Sequence, residues 1–339
     1  MNILINSYCN LKCPYCFAND TMTEKGAQNM SIENFKIAIE WCKKLGEHEL
    51  RIIGGEPTLA PLFPTFLDMG VQDPWFDSIL IFSNLTFDKD IATKIAQVNR
   101  IKPIHILPNI NEFDLLIPKH RANIMYNFNF LSQNLEGFQE IGINVYRPDM
   151  DLSQWEQLIA DHPNIHSLRY SIAVPNLKLL SNKFDFYEYY HQFQDILLKI
   201  SDLGIKYNLN LLCDCNNLPI CCFDSDAVVK MLINNGYSLF GTELFNGKTG
   251  GAEYCNFPVI DLRPDLTVAA CFGIDPKSKV YITDFETPKD LIGWCFANGD
   301  RSEYVARKEC LSCQRYKKNG ISCSCRSCHL IKKEDIIND

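Results

Sequence analysis

This chain has no apolar stretch long enough to span a bilayer, which argues against a membrane partner. It also lacks a charged lead-in and a small-residue cleavage site. Met1 runs straight into Asn2-Ile3-Leu4-Ile5-Asn6, which reads as a strand and not as a secretion signal. Basic runs are confined to two or three residues and the net charge is −8, which argues against a nucleic-acid substrate held through its phosphates. Repeats and low-complexity segments are missing. Gly247-Lys248-Thr249 has Thr242 where a phosphate loop needs its first glycine, and no strand-to-helix setting, which argues against ATP binding. What the chain has in excess is cysteine, sixteen in 339 residues. Without a secretion signal the expected setting is a reducing cytoplasm, where clustered cysteines mean metal more often than disulfides.

Three of these cysteines stand within eight residues: Cys9-Asn10-Leu11-Lys12-Cys13-Pro14-Tyr15-Cys16. Three thiolates this close can hold three irons of a cubane cluster and leave the fourth iron open, whereas a closed cluster takes four. About forty residues on comes Arg51-Ile52-Ile53-Gly54-Gly55-Glu56-Pro57, after a short apolar run. Two glycines let backbone approach a ligand closely, and Glu56 is an acceptor suited to an ammonium group.

The C-x3-C-x2-C spacing, with Tyr15 before the last cysteine, resembles the signature of the radical S-adenosylmethionine (SAM) family, and Gly54–Pro57 resembles that family's GGEP segment. The resemblance implies a [4Fe-4S] cluster on Cys9, Cys13 and Cys16 whose open iron chelates SAM. Reduction would then release a 5′-deoxyadenosyl radical. It also implies SAM contacts from Tyr15, Gly54, Gly55, Glu56 and Pro57 and, at the next two strand ends, from Ser83 and Asn111. The family's usual Ser/Asp pattern after the fourth strand is absent. The competing reading is a zinc site or buried thiols.

The pattern along the chain fits this fold. Strand-like runs at Asn2–Asn6, Glu49–Ile53, Ser78–Ser83, Ile104–Asn111, Gly142–Tyr146 and Ser167–Val174 alternate with helical stretches. Ser31 is an expected N-cap before Phe35, Ala38, Ile39, Cys42 and Leu45, with Gly46 as the stop. Ser153 and Glu156 read as a capping box. Residues 184–203 read as a helix whose aromatic residues face the core, with a substrate-stacking surface as the alternative. Six βα units imply an α/β fold with a parallel sheet and crossover helices, and the family resemblance implies that they form a partial (β/α)6 TIM-like barrel over residues 1–212. In such barrels the chemistry lies at the C-terminal strand ends.

A connecting segment at 213–250 carries Cys213, Asp214, Cys215, Cys221 and Cys222. Its four thiols, Cys213, Cys215, Cys221 and Cys222, are candidates for hydrogen-atom donation, iron ligation or a thioether intermediate. Packing as small hydrophobes is the alternative. Asp214 and Asp261 are candidate general bases. Residues 251–331 form a small Cys-rich region, and 332–339 a charged tail. Cys255 and Cys271 flank an expected hairpin turning at Pro264-Asp265. Cys310, Cys313, Cys323, Cys325 and Cys328 follow. The order resembles the twitch and SPASM auxiliary iron–sulfur domains, with Leu266 in place of the expected turn glycine. The resemblance implies one auxiliary [4Fe-4S] cluster on Cys255, Cys271, Cys310 and Cys313, or two sharing all seven thiolates. Zinc is the alternative, since C-x2-C also serves zinc ribbons.

Relatives with this kind of C-terminal region mostly modify peptides, so the expected substrate is a peptide or protein, cross-linked, epimerised or oxidised. The expected reductant is of flavodoxin or ferredoxin type. A dehydrogenase or epimerase acting on a small molecule is the second reading. A non-catalytic iron–sulfur carrier or sensor is the third, disfavoured because it leaves Gly54–Pro57 without a purpose.

Overall fold

The computed structural model describes residues 1–16, 28–173, 191–213, 228, 259–270, 279–299, 304–305 and 331–332. The fold is α/β with parallel sheets, as the alternation of runs implied. Two compact units divide the chain: residues 1–142 with 258–299, and residues 143–257 with 300–339.

In the first unit, strands β1 (Asn2–Leu4), β2 (Glu49–Ile53), β3 (Ser78–Ser83) and β4 (Ile104–Pro108) lie side by side and parallel. Parallel neighbours need crossover connections, here the helices α1 (Ile32–Lys44), α2 (Phe63–Gln72) and α3 (Lys89–Asn99). α1 forms where expected. Ser31 caps it by accepting from the Asn34 N–H at 3.1 Å, and Gly46, at φ 75°, turns the chain out of it. Its buried face (Phe35, Ala38, Ile39, Trp41, Cys42) meets α2 through a Phe35–Phe66 stack at 4.2 Å. Each large apolar side chain buried this way contributes about 1.5–3 kcal/mol. Ser31→Ala is expected to cost about 1 kcal/mol through the lost cap, read as a drop of roughly 2–4 °C in thermal melting.

The other edge of β1 holds β8 (Asp261–Leu262), also parallel, which pairs antiparallel with β9 (Val268–Ala269). This is the expected hairpin. Asp261, a candidate base, is buried and accepts from Asn2 Nδ2 at 2.8 Å. In the turn Leu266 adopts φ 67°, the left-handed backbone for which glycine is suited. Its N–H donates to Arg263 O at 2.9 Å, and the Thr267 N–H and hydroxyl donate to Asp265 at 3.1 and 2.6 Å. Burial of the Leu266 side chain offsets a left-handed penalty of roughly 1–2 kcal/mol.

In the second unit, β5 (Glu140–Val145), β6 (Ser167–Ile172) and β7 (Asn210–Cys213) form a three-stranded sheet, with β6 and β7 parallel. β7 is an additional strand; alternating Leu209 and Leu211 was its signal. Two expectations are revised and a third lies in part outside the described residues. Ser153 is the first residue of α5 (Ser153–Asp161) and not its cap. Asp151 accepts from the Ser153 N–H and hydroxyl instead, and Glu156 is engaged by Lys206 and Tyr207. The helix expected at 184–203 is described only as α6 (Gln194–Tyr207), whose buried face is aliphatic: Ile196, Leu197, Ile200 and Leu203. The aromatic residues at 184–190 lie outside the described residues, and Phe193 is buried just before the helix. The fourth strand ends at Pro108, beyond which Asn109 makes an isolated parallel bridge to Gly142.

Candidate functional site

Because β1 to β4 are parallel, their C-terminal ends share one edge of the sheet. That edge carries the cysteine loop after β1, Gly54–Pro57 after β2, Ser83–Thr86 after β3 and Asn109–Asn111 after β4. The sequence therefore predicted correctly which segments meet. The contacts within them differ from expectation.

The two glycines serve the junction of β1 and β2. A Cβ on Gly55 would stand 2.1 Å from the Tyr8 carbonyl oxygen, and one on Gly54 would stand 2.2 Å from Asn6 Oδ1. The Glu56 N–H donates to Tyr8 O at 2.9 Å, and Asn6, fully buried, accepts from Gly55 N at 3.1 Å while donating to Glu56 O at 2.8 Å. The close approach expected toward a ligand is made first of all to the chain itself.

Glu56, expected to offer its carboxylate to an ammonium group, is only 1% exposed and turns that carboxylate inward. Oε1 accepts from the Thr58 hydroxyl at 2.5 Å, the Ser83 hydroxyl at 2.9 Å and the Thr58 N–H at 3.3 Å; Oε2 accepts from the Asn84 N–H at 2.8 Å. Four donors leave the carboxylate little capacity for an outside partner. Burial still raises its pKa against the pull of these bonds. Glu56 thereby ties the end of β2 to the end of β3 and caps the short 3-10 turn Pro57–Leu59, which Pro57 opens. Ser83, expected to face SAM, is buried in the same arrangement.

Asn84 faces the cysteines instead. Its Nδ2 donates to Cys9 Sγ at 3.6 Å and to Asn10 Oδ1 at 3.1 Å. Its Oδ1 accepts from the Thr86 N–H at 2.9 Å and the Thr86 hydroxyl at 2.6 Å. Two donors on the oxygen settle which end of the amide is which. Asn10 Nδ2 closes the ring onto Thr86 Oγ1 at 2.8 Å and lies 3.5 Å from His120 Nε2. Leu85, between Asn84 and Thr86, is fully buried and adopts φ 58°, an outlier for a bulky residue. Helix α4 (Pro118–Asn134) holds it there. Asn127 Nδ2 donates to Leu85 O at 2.9 Å and to Phe87 O at 2.7 Å, and Asn123 Nδ2 donates to Thr86 O at 2.8 Å. Asn6, Asn10, Thr86, His120, Asn123 and Asn127 were not anticipated. The i, i+4 spacing of Asn123 and Asn127 on one helix was the available signal.

The three cysteines are half-buried, and none is in a disulfide. Cys9 also accepts from the Leu11 N–H at 3.4 Å. Cys13 is hydrogen-bonded by the side chains of Tyr15 and Asn111. Burial pushes the Cys9 thiol up to about 12, with Glu56, Cys13 and Cys16 adding to the rise. Burial and Cys16 push Cys13 up to about 11. Among the described residues no three His, Cys, Asp or Glu side chains converge on a point that one metal ion would occupy. A cubane does not ask for that, because each thiolate takes a different iron. Asp214, Cys215, Cys221, Cys222, Cys255, Cys271, Cys310, Cys313, Cys323, Cys325 and Cys328 lie outside the described residues, as does the side chain of Cys213, whose backbone ends β7. No helix among the described residues is long and apolar enough to cross a membrane.

Comparison with known proteins agrees with this arrangement. The likeness to solved structures extends over most of the chain, at TM-scores that show the fold. Streptococcus suis SuiB bound to S-adenosylmethionine is 15% identical with a TM-score of 0.60, over 93% of this chain and 70% of that one. Native anSMEcpe with bound AdoMet is 15% identical with a TM-score of 0.58, over 96% and 90%. Among curated proteins, the GTP 3′,8-cyclase of Pasteurella multocida is 26% identical over 175 residues, 48% of this chain and 50% of that protein. That of Syntrophomonas wolfei is 31% identical over 109 residues, 30% and 32%. The chain thus matches half or less of these relatives' length. Residues 3–151, the stretch that holds the cysteine loop and all four strand ends, match the family model described as the Radical SAM superfamily.

Proposed function

We propose that this chain is a radical SAM enzyme acting on a peptide or protein. The observation that carries the reading is the meeting of the Cys9–Cys16 loop with Gly54–Pro57 at the C-terminal edge of one parallel sheet, inside the stretch that matches the family. Cys9, Cys13 and Cys16 are the ligands for a [4Fe-4S] cluster. Their donor set fits: three thiols on one loop, with hydrogen bonds already directed at the sulfurs of Cys9 and Cys13. Thiolate is the ligating form, so a bound cluster draws off protons that burial holds on Cys9 and Cys13. When bound, the cluster and SAM supply a 5′-deoxyadenosyl radical for hydrogen abstraction. Gly54, Gly55, Glu56 and Pro57 shape the SAM side of the site, with Tyr15 and Asn111 beside Cys13. Glu56 and Ser83 act by fixing the strand ends, since their side chains bond inward.

Cys255, Cys271, Cys310, Cys313, Cys323, Cys325 and Cys328 are proposed ligands of one or two auxiliary clusters. The β8–β9 hairpin between the first two supports this. The peptide reading draws support from the fold likeness to SuiB, one structure of which is described as bound to precursor peptide SuiA (TM-score 0.59, 16% identical). A flavodoxin- or ferredoxin-type reductant completes the system, in the cytoplasm. A second reading, a small-molecule substrate, is favoured by the GTP 3′,8-cyclase relatives.

Anaerobic reconstitution tests the assignment. Wild type is expected to bind about eight or twelve irons and to release deoxyadenosine from SAM. Cys9→Ala/Cys13→Ala/Cys16→Ala is expected to lose one cubane, about four irons, and all SAM cleavage. Equal iron in both proteins, or no SAM cleavage by wild type, would refute it. Consumption of GTP coupled to deoxyadenosine formation would replace the peptide with the nucleotide.

A further inference from the structure

We propose that Asn84 is a positioning residue for the cluster at Cys9, Cys13 and Cys16, and that its side-chain N–H sets how readily that cluster accepts an electron. The inference rests on the cluster assignment above and adds a role for a residue just past the strand-end serine. Hydrogen bonds to ligating sulfurs are one of the levers on an iron–sulfur potential. They stabilise the reduced state, which carries more negative charge on sulfur, more than the oxidised one.

Three observations carry it. First, Asn84 Nδ2 lies 3.6 Å from Cys9 Sγ. Secondly, the amide cannot present its oxygen there, because both Thr86 donors hold that oxygen on the opposite side. Thirdly, the loop bearing it is fixed far beyond what a turn needs. The Asn84 N–H is bound by buried Glu56, Leu85 is kept in left-handed backbone, and Asn123 and Asn127 of α4 take up three successive carbonyls, Leu85, Thr86 and Phe87. Local strain held by surrounding contacts marks a position whose placement matters. Here the placed group is a hydrogen-bond donor at a ligand sulfur.

The test is an anaerobic redox titration of reconstituted full-length protein, followed by electron paramagnetic resonance on the signal that changes when SAM is added. It is paired with resonance Raman of the Fe–S(Cys) stretches. Asn84→Ala is expected to lower the midpoint so that the reduced fraction falls about tenfold, equivalent to about 59 mV for one electron, and to shift the Fe–S(Cys) bands. Thr86→Val keeps the amide and the backbone N–H donor to its oxygen but removes the hydroxyl donor; it is expected to move both readouts part of the way. Unchanged midpoint and bands in both variants, at wild-type iron content, overturn the proposal. If Asn84→Ala fails to hold iron, Thr86→Val decides: shifted bands uphold it and unchanged bands sink it. A wild type without a SAM-responsive cubane overturns the cluster assignment itself, a result separate from any difference between variants.

Discussion

Gly55→Ala is expected to be the most damaging single methyl that can be added to this domain. The new Cβ would stand 2.1 Å from the Tyr8 carbonyl oxygen and 2.9 Å from the Cys9 backbone nitrogen. Both are main-chain atoms, so no rotamer change relieves the contact. Overpacking alone typically costs 1–3 kcal/mol, and moving the β1 end also breaks the Glu56–Tyr8 and Gly55–Asn6 bonds. A loss of about 3 kcal/mol or more follows, roughly 6–12 °C in apparent melting temperature. Iron incorporation should fall with it, because the displaced segment leads into Cys9. Gly293→Ala is the control. It lies within the helix Pro288–Gly299, nothing stands within 4 Å of where its Cβ would be, and alanine in a helix interior is better than glycine by about 1 kcal/mol. Scanning calorimetry of the two variants compares them directly; a Gly55→Ala protein as stable as wild type would remove the packing argument for the paired glycines.

Glu56→Ala is expected to cost about as much by a different route. It leaves the Asn84 N–H, the Thr58 N–H and two hydroxyls without their buried acceptor, and each orphaned group costs about 1–3 kcal/mol unless it finds another partner. We expect a loss of about 3 kcal/mol by denaturant titration, with displacement of the Asn84 loop. The deficit should vary with pH. Burial raises the Glu56 pKa, so the folded state holds its proton more tightly than the unfolded chain, whose carboxyl titrates near 4.5. The stabilisation from that proton is full below about 4.5 and is lost as pH rises through the folded pKa. The gap between wild type and Glu56→Ala is therefore expected to be widest in acid and to narrow as pH rises. A gap that widens with pH would mean that the four hydrogen bonds outweigh burial.

The fold and the meeting of segments were legible because they depend on local signals. Apolar runs of strand length, helical periodicity and the spacing of Cys9, Cys13 and Cys16 are all written within short windows. In a parallel sheet, strand order alone then brings the strand ends together. What could not be read was the direction of side chains within the site. Glu56 sits in the expected segment, yet its orientation is decided by Ser83 and Asn84, nearly thirty residues away. Asn84 gains its meaning from Thr86 beside it and from Asn10 on a different loop. The capping box at Ser153 failed for a related reason: Asp151 offers a nearer acceptor, and Lys206 competes for Glu156. Polar residues at the rim of a parallel sheet are shared between elements distant in sequence, and single-window patterns do not see that sharing.

The placement of β1 between β2 and β8 has a kinetic consequence. Ile3 pairs on one side with Ile52 and on the other with Leu262. At a translation rate of about 5–20 residues per second, the second partner leaves the ribosome roughly 13–50 s after the first strand does. Throughout that interval one edge of β1 is open to pairing with any strand that arrives, while the cysteine loop hangs from its end. On the cluster assignment proposed above, whatever delivers iron to a nascent chain would therefore meet Cys9, Cys13 and Cys16 before the sheet that supports them is closed.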